Sequence, residues 1–245
     1  MRSTRSPSWP VGQDSPRSPS TPTWPDGPGP WWDGSEHVLI LDARGEPPPS
    51  EALAAAVAEL AAGRVVAIPT DTVYGLAVDP FRPGGIQLLF AAKGRPRRIA
   101  LPVLVADEEQ AESLVGALSR SARALADRWW PGALTLVLPR PADLSADLGG
   151  DGTTVGLRCP AHPVPVALCR AVGPLATTSA NRHGQPPAIT APALALALGD
   201  SVSLILDGGP CAGAASTVVD CTGSDIACLR QGAIPWEGIL AAFPT

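Results

Sequence analysis

Residues 63–80, with the sequence GRVVAIPTDTVYGLAVDP, contain the strand and the turn from which we predict the fold. The segment RVVAIPT is typical of a buried strand, because it is a short run rich in β-branched and other apolar residues. Pro69 stiffens the exit from this strand, and DTVYGLAVD continues as a turn and a short second strand. In open α/β sheets, ligands bind in the loops beyond the strand ends, so this polar turn is a candidate functional region.

The chain from residue 37 onward alternates short β-rich runs with Ala/Leu-rich helical runs, which indicates an α/β domain. SEALAAAVAELAAGR is predicted to be a helix, with Ser50 as its N-cap and Gly63 as its C-terminal stop. Several strands follow one another without an intervening helix, so we predict a twisted mixed sheet with flanking helices. Further helices are predicted over residues 84–95, 107–118, 119–130, 163–172, 191–199 and 235–243, and further strands over residues 101–105, 133–139, 153–160, 175–181, 203–209, 216–221 and 226–232.

Two regions of different composition divide the chain. Residues 1–36 are rich in Pro, Ser and Gly without apolar periodicity, so we predict a disordered tail. Residues 37–245 are predicted to form one domain, and the hydrophobic fraction of 45% is enough for a proper core. The formal net charge of −5 argues against a protein that coats nucleic acid without sequence preference.

The cysteines and the termini bear on the cellular compartment. The five cysteines are odd in number and contain no C-x-x-C pair, which argues against a disulfide framework and against a zinc site. No apolar run reaches the roughly 18 residues that a membrane span needs, and the N-terminus lacks the apolar core of a secretory signal. We therefore expect a cytoplasmic protein.

Lys93 is the single lysine among the 18 Lys and Arg residues of the chain. It lies in KGRPRR, in the predicted last turn of a helix that ends at Gly94. The helix dipole favours cations at that end. If the dipole is the reason for Lys93, arginine would serve as well as lysine, and these side chains would be exposed. The alternative is a polyphosphate site, in which lysine acts as a compact point charge and arginine makes two-pronged contacts. Composition alone leaves both alternatives open.

Two polar clusters follow predicted strands. Thr70, Asp71 and Thr72 are either turn residues that bond nearby backbone or ligands for a substrate. Ser179 and Asn181, in LATTSAN, either cap a turn or hold a small oxyanion through hydroxyl and amide donors.

Arg158, Arg230 and the Ser216–Thr217 pair form a further group at predicted strand ends. A half-buried arginine needs an anionic partner, which is either a protein carboxylate or an anionic group of the substrate. The sequence contains no GxxxxGK[ST], GxGxxG, GxSxG or HExxH motif, and its three histidines do not cluster. His162 is interpreted as a structural turn residue.

Seven motifs, taken together and in order, resemble the YrdC/Sua5 family, the L-threonylcarbamoyladenylate synthases that are also called TsaC. The motifs run colinearly from about residue 38 to 243: GRVVAIPTDTVYGLAVDP, KGRPRRIALPVLV, WWPGALTLVLP, TTVGLRCPAHP, LATTSAN, ASTVVD and LRQGAI. The family's K-x-R…S-x-N signature is present as Lys93, Arg95, Ser179 and Asn181.

The resemblance implies a YrdC-like fold with a large concave cavity, in the short, single-domain form of the family. It implies a nucleotidyltransferase that joins L-threonine, bicarbonate and ATP, with Mg²⁺, into threonylcarbamoyl-AMP and pyrophosphate. The product would feed a threonylcarbamoyl-transferase machinery that forms N6-threonylcarbamoyladenosine in tRNA. The implied catalytic residues are Lys93, Arg95, Ser179 and Asn181; these four bind ATP together with Thr154 and Arg230, and the implied threonine-binding residues are Thr70, Arg158 and Ser216.

Two other functions compete with the synthase interpretation of the same family resemblance. One is a non-catalytic module that binds double-stranded RNA, although the net charge and the lack of interleaved aromatic residues near KGRPRR count against it. The other is a carbamoyl-transfer domain like those of hydrogenase-maturation proteins, which normally lie beside acylphosphatase and zinc-finger modules.

Overall fold

The computed structural model describes residues 38–94 and 96–241, so the predicted tail 1–36 and Arg95 lie outside the described residues. Within these ranges the chain forms ten strands and seven helices. The strands are β1 Leu39–Asp42, β2 Val66–Ile68, β3 Gly75–Val78, β4 Val103–Leu104, β5 Leu134–Pro139, β6 Thr154–Arg158, β7 Leu175–Ser179, β8 Leu204–Asp207, β9 Thr217–Asp220 and β10 Ala227–Arg230. The helices are α1 Ser50–Ala61, α2 Gly85–Lys93, α3 Glu108–Val115, α4 Arg120–Trp129, α5 Pro163–Val172, α6 Ala191–Leu198 and α7 Trp236–Leu240.

All ten described strands belong to one sheet, in the order β1-β8-β2-β3-β7-β4-β6-β5-β9-β10. Parallel pairs, such as β4 with β6 and β5 with β9, alternate with antiparallel pairs, such as β3 with β7 and β5 with β6. The prediction of a mixed sheet with flanking helices is therefore confirmed.

Two hydrophobic clusters cover the two faces of the sheet. One joins α1 and α5 through residues such as Leu60 and Leu168 to Ile68 of β2. The other includes Leu89 of α2 and Leu125 of α4, packed with buried side chains of the central strands. On β5, Leu134 and Leu136 belong to this second cluster and alternate with Thr135 and Val137, which line a cavity on the opposite face of the strand.

The helix ends follow from local sequence, with one correction. Pro49, rather than Ser50, is the N-cap of α1, and no side chain caps this end, so Ser50 is already helical. Gly63 adopts a φ of 72°, which fits its predicted role as the stop signal. His162 caps α5, because its Nδ1 accepts a hydrogen bond from the backbone N–H of Val164 at 3.2 Å. This confirms its predicted structural role.

None of the described helices combines the length and the hydropathy that crossing a bilayer would require. All five cysteines carry free thiols. Burial raises the pKa of the Cys169 thiol to about 12, so this group stays protonated at neutral pH.

Candidate functional site

A cavity of about 640 Å³ lies among β3, β5, β6, β7 and β9 and the loops beside them. Its described wall carries hydroxyl, amide and guanidinium groups and no carboxylate. Seven of the nine predicted site residues line it: Thr70, Thr154, Arg158, Ser179, Asn181, Ser216 and Arg230. Lys93 contacts two of these residues, and Arg95 lies outside the described residues.

Lys93 meets both members of the S-x-N pair. Its ammonium nitrogen donates to the Ser179 carbonyl at 2.6 Å, to the Ser179 Oγ at 2.8 Å and to the Asn181 Oδ1 at 2.6 Å. The Ser179 hydroxyl also donates to the Asn181 Oδ1, at 2.7 Å. Lys93 is only 4% exposed, so the explanation that places it on the surface at a helix end is wrong.

The local sequence places the Lys93 ammonium at this point. Gly94 ends α2 with a φ of 62°, a left-handed conformation that glycine adopts without strain. Leu89 and Phe90 precede Lys93 by four and three residues, so the three side chains share one face of the helix, which is buried against the core and carries Lys93 inward toward β7. The side-chain amide of Asn181 donates to the carbonyls of Arg182 at 2.9 Å and Gln185 at 2.5 Å, which directs its oxygen toward Lys93.

Arg158, at the end of β6, is held by three partners. Its Nη2 donates to Asp71 at 2.6 Å, its Nη1 to the Thr72 Oγ1 at 2.8 Å and its Nε to the Gly132 carbonyl at 2.9 Å. The protein carboxylate that a buried arginine needs is therefore present in the chain. Three of the five guanidinium N–H groups are used in these bonds, so two are left for other acceptors.

The turn between β2 and β3 is built on Thr70. The Thr70 hydroxyl donates to the Val73 carbonyl at 2.6 Å, and its oxygen accepts from the backbone N–H of Thr72 and of Val73. Its oxygen also lies 2.9 Å from the Thr72 Oγ1, which Arg158 contacts. The predicted turn role of this cluster is confirmed, and two of its members, Thr70 and Thr72, also form part of the cavity wall.

Ser216 and Arg230 form a second polar group in the wall. The Arg230 guanidinium donates to the Ser216 carbonyl from Nε at 3.2 Å and from Nη2 at 2.9 Å, and to the Ser216 Oγ at 3.2 Å. The Ser216 Oγ lies 2.9 Å from the Thr135 Oγ1, on the neighbouring strand β5. Among the described residues, Arg230 forms no ion pair with a carboxylate.

The two guanidinium groups share one electrostatic environment. Burial lowers the pKa of Arg158, and the charge of Asp71 acts in the opposite direction. Burial also lowers the pKa of Arg230, and so does the positive charge of Arg158. Because arginine stays protonated in proteins, this wall of the cavity favours an anion.

Three further residues support the site without being among the nine predicted site residues, although the sequence places Asp71 and Thr217 in polar clusters. Asp71 is the ion-pair partner of Arg158, Thr135 pairs with Ser216, and Thr217 anchors the segment after β10. The pairing of Asp71 with Arg158 could have been predicted, because a buried arginine requires a carboxylate and Asp71 lies in a quoted motif. Thr135 is a polar residue inside an otherwise apolar strand, which is a weaker signal.

We tested whether the described residues could hold Mg²⁺. Within 38–94 and 96–241, no three His, Cys, Asp or Glu side chains converge as a metal site. Proteins usually bind Mg²⁺ through one or two carboxylates together with phosphates of the substrate. The described cavity wall has no carboxylate, so it is not a protein-built site for this ion.

Comparison with known proteins assigns the family. The family model of Sua5/YciO/YrdC, described as "Telomere recombination", matches residues 58–232, which is more than half of the chain. The chain belongs to the Sua5/YciO/YrdC family. The family resemblance inferred from the seven motifs is confirmed.

Relatives of this Sua5/YciO/YrdC chain cover most of its length. A relative from Mycobacterium tuberculosis is 43% identical over 191 residues, which are 78% of this chain and 88% of the relative. The threonylcarbamoyl-AMP synthase of Bacillus subtilis is 41% identical over 194 residues, 78% of this chain and 56% of that protein. The structure of Pyrococcus abyssi Sua5 complexed with L-threonine is 34% identical, with a TM-score of 0.79, and the match covers 84% of this chain and 61% of that one. The chain thus spans under two thirds of the two longer relatives.

Proposed function

We propose that this chain is an L-threonylcarbamoyladenylate synthase, a nucleotidyltransferase that condenses L-threonine, bicarbonate and ATP to threonylcarbamoyl-AMP and pyrophosphate. The observation that carries the proposal is the contact of Lys93 with Ser179 and Asn181 at the wall of the cavity. These residues stand at the positions of the family signature, although 86 and 88 positions separate them from Lys93. The Bacillus subtilis relative carries the name of this activity, which supports the proposal.

The amino acid is assigned to the side of the cavity near Arg158. Two N–H groups of Arg158 remain for a carboxylate, and Asp71, Thr72 and Gly132 fix the plane of the guanidinium. Thr70 and Ser216 line the same cavity and would complete the amino-acid pocket. The Pyrococcus abyssi Sua5 structure with L-threonine supports an amino-acid site in this fold.

The nucleotide is assigned to the cationic groups of the wall. In the reaction, the threonine amine adds to bicarbonate with loss of water, and a carbamate oxygen then attacks the α-phosphorus of ATP as pyrophosphate leaves. Negative charge develops on the phosphate oxygens, so fixed positive charge and positioning would lower the barrier. Lys93 and Arg95 would hold the triphosphate and the carbamate oxygen, with Ser179 and Asn181 at the bicarbonate or α-phosphate, and Thr154 and Arg230 on the nucleotide side.

The proposal includes partners beyond the three substrates. The product would pass to a threonylcarbamoyl-transferase machinery that acts on tRNA, and Mg²⁺ would accompany ATP. The predicted cytoplasmic location and weak direct contact with RNA stay predictions.

The test is pyrophosphate release from ATP and Mg²⁺ in the presence and absence of L-threonine and of bicarbonate. The synthase function requires that release depend on both additions. Release that is independent of either one contradicts it. Salt-sensitive binding of double-stranded RNA without nucleotide turnover would instead support the non-catalytic alternative.

A further inference from the structure

Thr217, the first residue of β9, forms three hydrogen bonds with the segment that follows β10. Its Oγ1 donates to the Ile234 carbonyl at 2.6 Å and accepts from the backbone N–H of Gly232 at 2.9 Å and of Ile234 at 3.1 Å. The residue is fully buried, with an exposed fraction of 0%. A buried hydroxyl with three backbone partners fixes the path of the segment that it bonds.

Gly232 lets that segment approach β9 closely. A Cβ at this position would lie 2.2 Å from the Ala215 carbonyl oxygen and 2.5 Å from the Ser216 carbonyl carbon. The backbone N–H of Ala233 donates to the same Ala215 carbonyl at 2.8 Å. The chain after β10 is therefore pressed onto the start of β9, at a distance that only glycine permits.

Arg230 lies two residues before Gly232, where the chain turns toward this contact. The pairing of β10 with β9 is irregular between Cys228 and Arg230, and three of the four residues of β10 are exposed. The strand alone is thus a weak support for the Arg230 guanidinium. Its three bonds to Ser216, the residue next to Thr217, depend on how the returning segment is held.

We propose that Thr217 is a positioning residue, which anchors residues 232–234 and thereby holds the Arg230 guanidinium in the cavity for a phosphate of the nucleotide. This inference rests on the proposed function, because that function assigns Arg230 to ATP. It also accounts for the presence of both ASTVVD and LRQGAI in the sequence, since each motif supplies one side of the contact.

The experiment measures the dissociation constant of Mg²⁺–ATP by isothermal titration calorimetry on the full chain. Thr217→Val keeps the shape of the side chain and removes the three hydrogen bonds, whereas Thr217→Ser keeps the hydroxyl. We expect Thr217→Val to weaken ATP binding about tenfold, the equivalent of one net hydrogen bond, and Thr217→Ser to bind within about twofold of the wild type.

A double-mutant cycle separates positioning from a general loss of stability. In an Arg230→Gln background, the guanidinium that Thr217 positions is gone, so Thr217→Val should weaken ATP binding by less than about twofold further. Wild-type affinity for ATP in Thr217→Val, or the same tenfold loss in the Arg230→Gln background, would overturn the proposal.

A second variant keeps the test decisive if Thr217→Val does not fold. Gly232→Ala leaves the Thr217 hydroxyl in place and forces the two segments apart, so it should also weaken ATP binding, and unchanged binding would count against the proposal. If the wild type binds ATP without threonine-dependent pyrophosphate release, the synthase function fails while the cycle still decides the role of Thr217. A wild-type chain that does not bind ATP refutes both.

Discussion

The Lys93 Nζ lies 2.6 Å from the Asn181 Oδ1, although 88 positions separate the two residues in the chain. The contact joins the end of α2 to the loop after β7, which places the lysine and the S-x-N pair beside one cavity. A compact ammonium reaches the Ser179 carbonyl, the Ser179 hydroxyl and the Asn181 amide oxygen from one nitrogen atom.

Lys93→Arg should therefore be inactive even though it conserves the charge. A planar guanidinium spreads its donors over three nitrogens and cannot direct them at the same acceptors. The surroundings leave little room for it, because Lys93 is only 4% exposed. We expect pyrophosphate release to fall about a hundredfold or more. Arg120→Lys, at the exposed start of α4, is the matched control and should retain wild-type turnover. Full turnover of Lys93→Arg would show that this geometry is not required.

Asn181→Asp should destabilise the fold and impair activity. The variant keeps an oxygen toward Lys93 but replaces the amide N–H groups, which donate to the carbonyls of Arg182 and Gln185, with a second oxygen. We expect a loss of about 1–3 kcal/mol in the free energy of unfolding, measured by urea denaturation. Unchanged stability would indicate that these two amide bonds are absent in solution.

Asp71→Asn should destabilise the protein more than the loss of a surface charge does. The side chains of Arg158 and Asp71 are only 8% and 16% exposed, and the variant leaves the guanidinium buried without its carboxylate. We expect a cost of about 3–5 kcal/mol in chemical denaturation. The double variant Asp71→Asn/Arg158→Gln should cost less than the sum of the two single variants, and strict additivity would contradict the pairing.

Gly149→Ala should perturb the loop that supports residues 96–101 beside the cavity. A Cβ at Gly149 would lie 2.5 Å from the Arg97 carbonyl oxygen and 2.8 Å from the Phe90 Cζ, and the residue has a φ of 74°. Gly152→Ala is the matched control, since its φ is 78° and a Cβ there would meet no atom within 4 Å.

Both glycine variants incur the cost of a left-handed alanine, about 1–2 kcal/mol. Gly149→Ala should lose about 1–3 kcal/mol more because of the close approach. Equal unfolding free energies for the two variants would show that the contact is not tight.

The buried pair of Glu59 and Arg64 should make stability depend on pH. Burial raises the pKa of Glu59, but the hydrogen bonds from Arg64 and Ser203 and the charge of Arg64 together lower it below the ordinary value of 4.5. A carboxyl whose pKa is lower in the folded state contributes stability above its unfolded pKa. That contribution is lost as the pH falls through the folded pKa.

Glu59→Gln tests this prediction, because it cannot titrate. Its free energy of unfolding should be lower than that of the wild type at neutral pH, and the difference should shrink on acidification below the ordinary carboxyl range. A difference that stays constant with pH would contradict the assigned ion pair.

Hydrophobic patterns and the glycines that end helices were enough to predict the mixed sheet and the C-terminal ends of two helices. These are the end of α2 beside Gly94 and the end of α5 at Val172. Those features depend on periodicity and on residues with special backbone preferences, which are local in sequence. The N-cap of α1 was wrong by one residue, because Pro49 takes the position that a serine side chain usually fills.

The pairing of side chains in the site could not be predicted in the same way. Whether Arg158 bonds a protein carboxylate or a substrate is decided by the turn after β2, which is 87 positions away from it. The Ser216–Thr217 pair stands out in the sequence, but the bonds of Thr217 to the segment after β10 form only because that segment folds back onto it. These contacts depend on the order of strands in the sheet, which no local pattern contains.

The measurement that most directly tests the central claim is mass spectrometry of the product formed from L-threonine, ATP, Mg²⁺ and isotopically labelled bicarbonate. The account predicts a threonylcarbamoyl-AMP that carries the label in the wild-type reaction, and little or none with Lys93→Arg. An adenylated product without the label, or labelled product in equal amounts from both proteins, would contradict it.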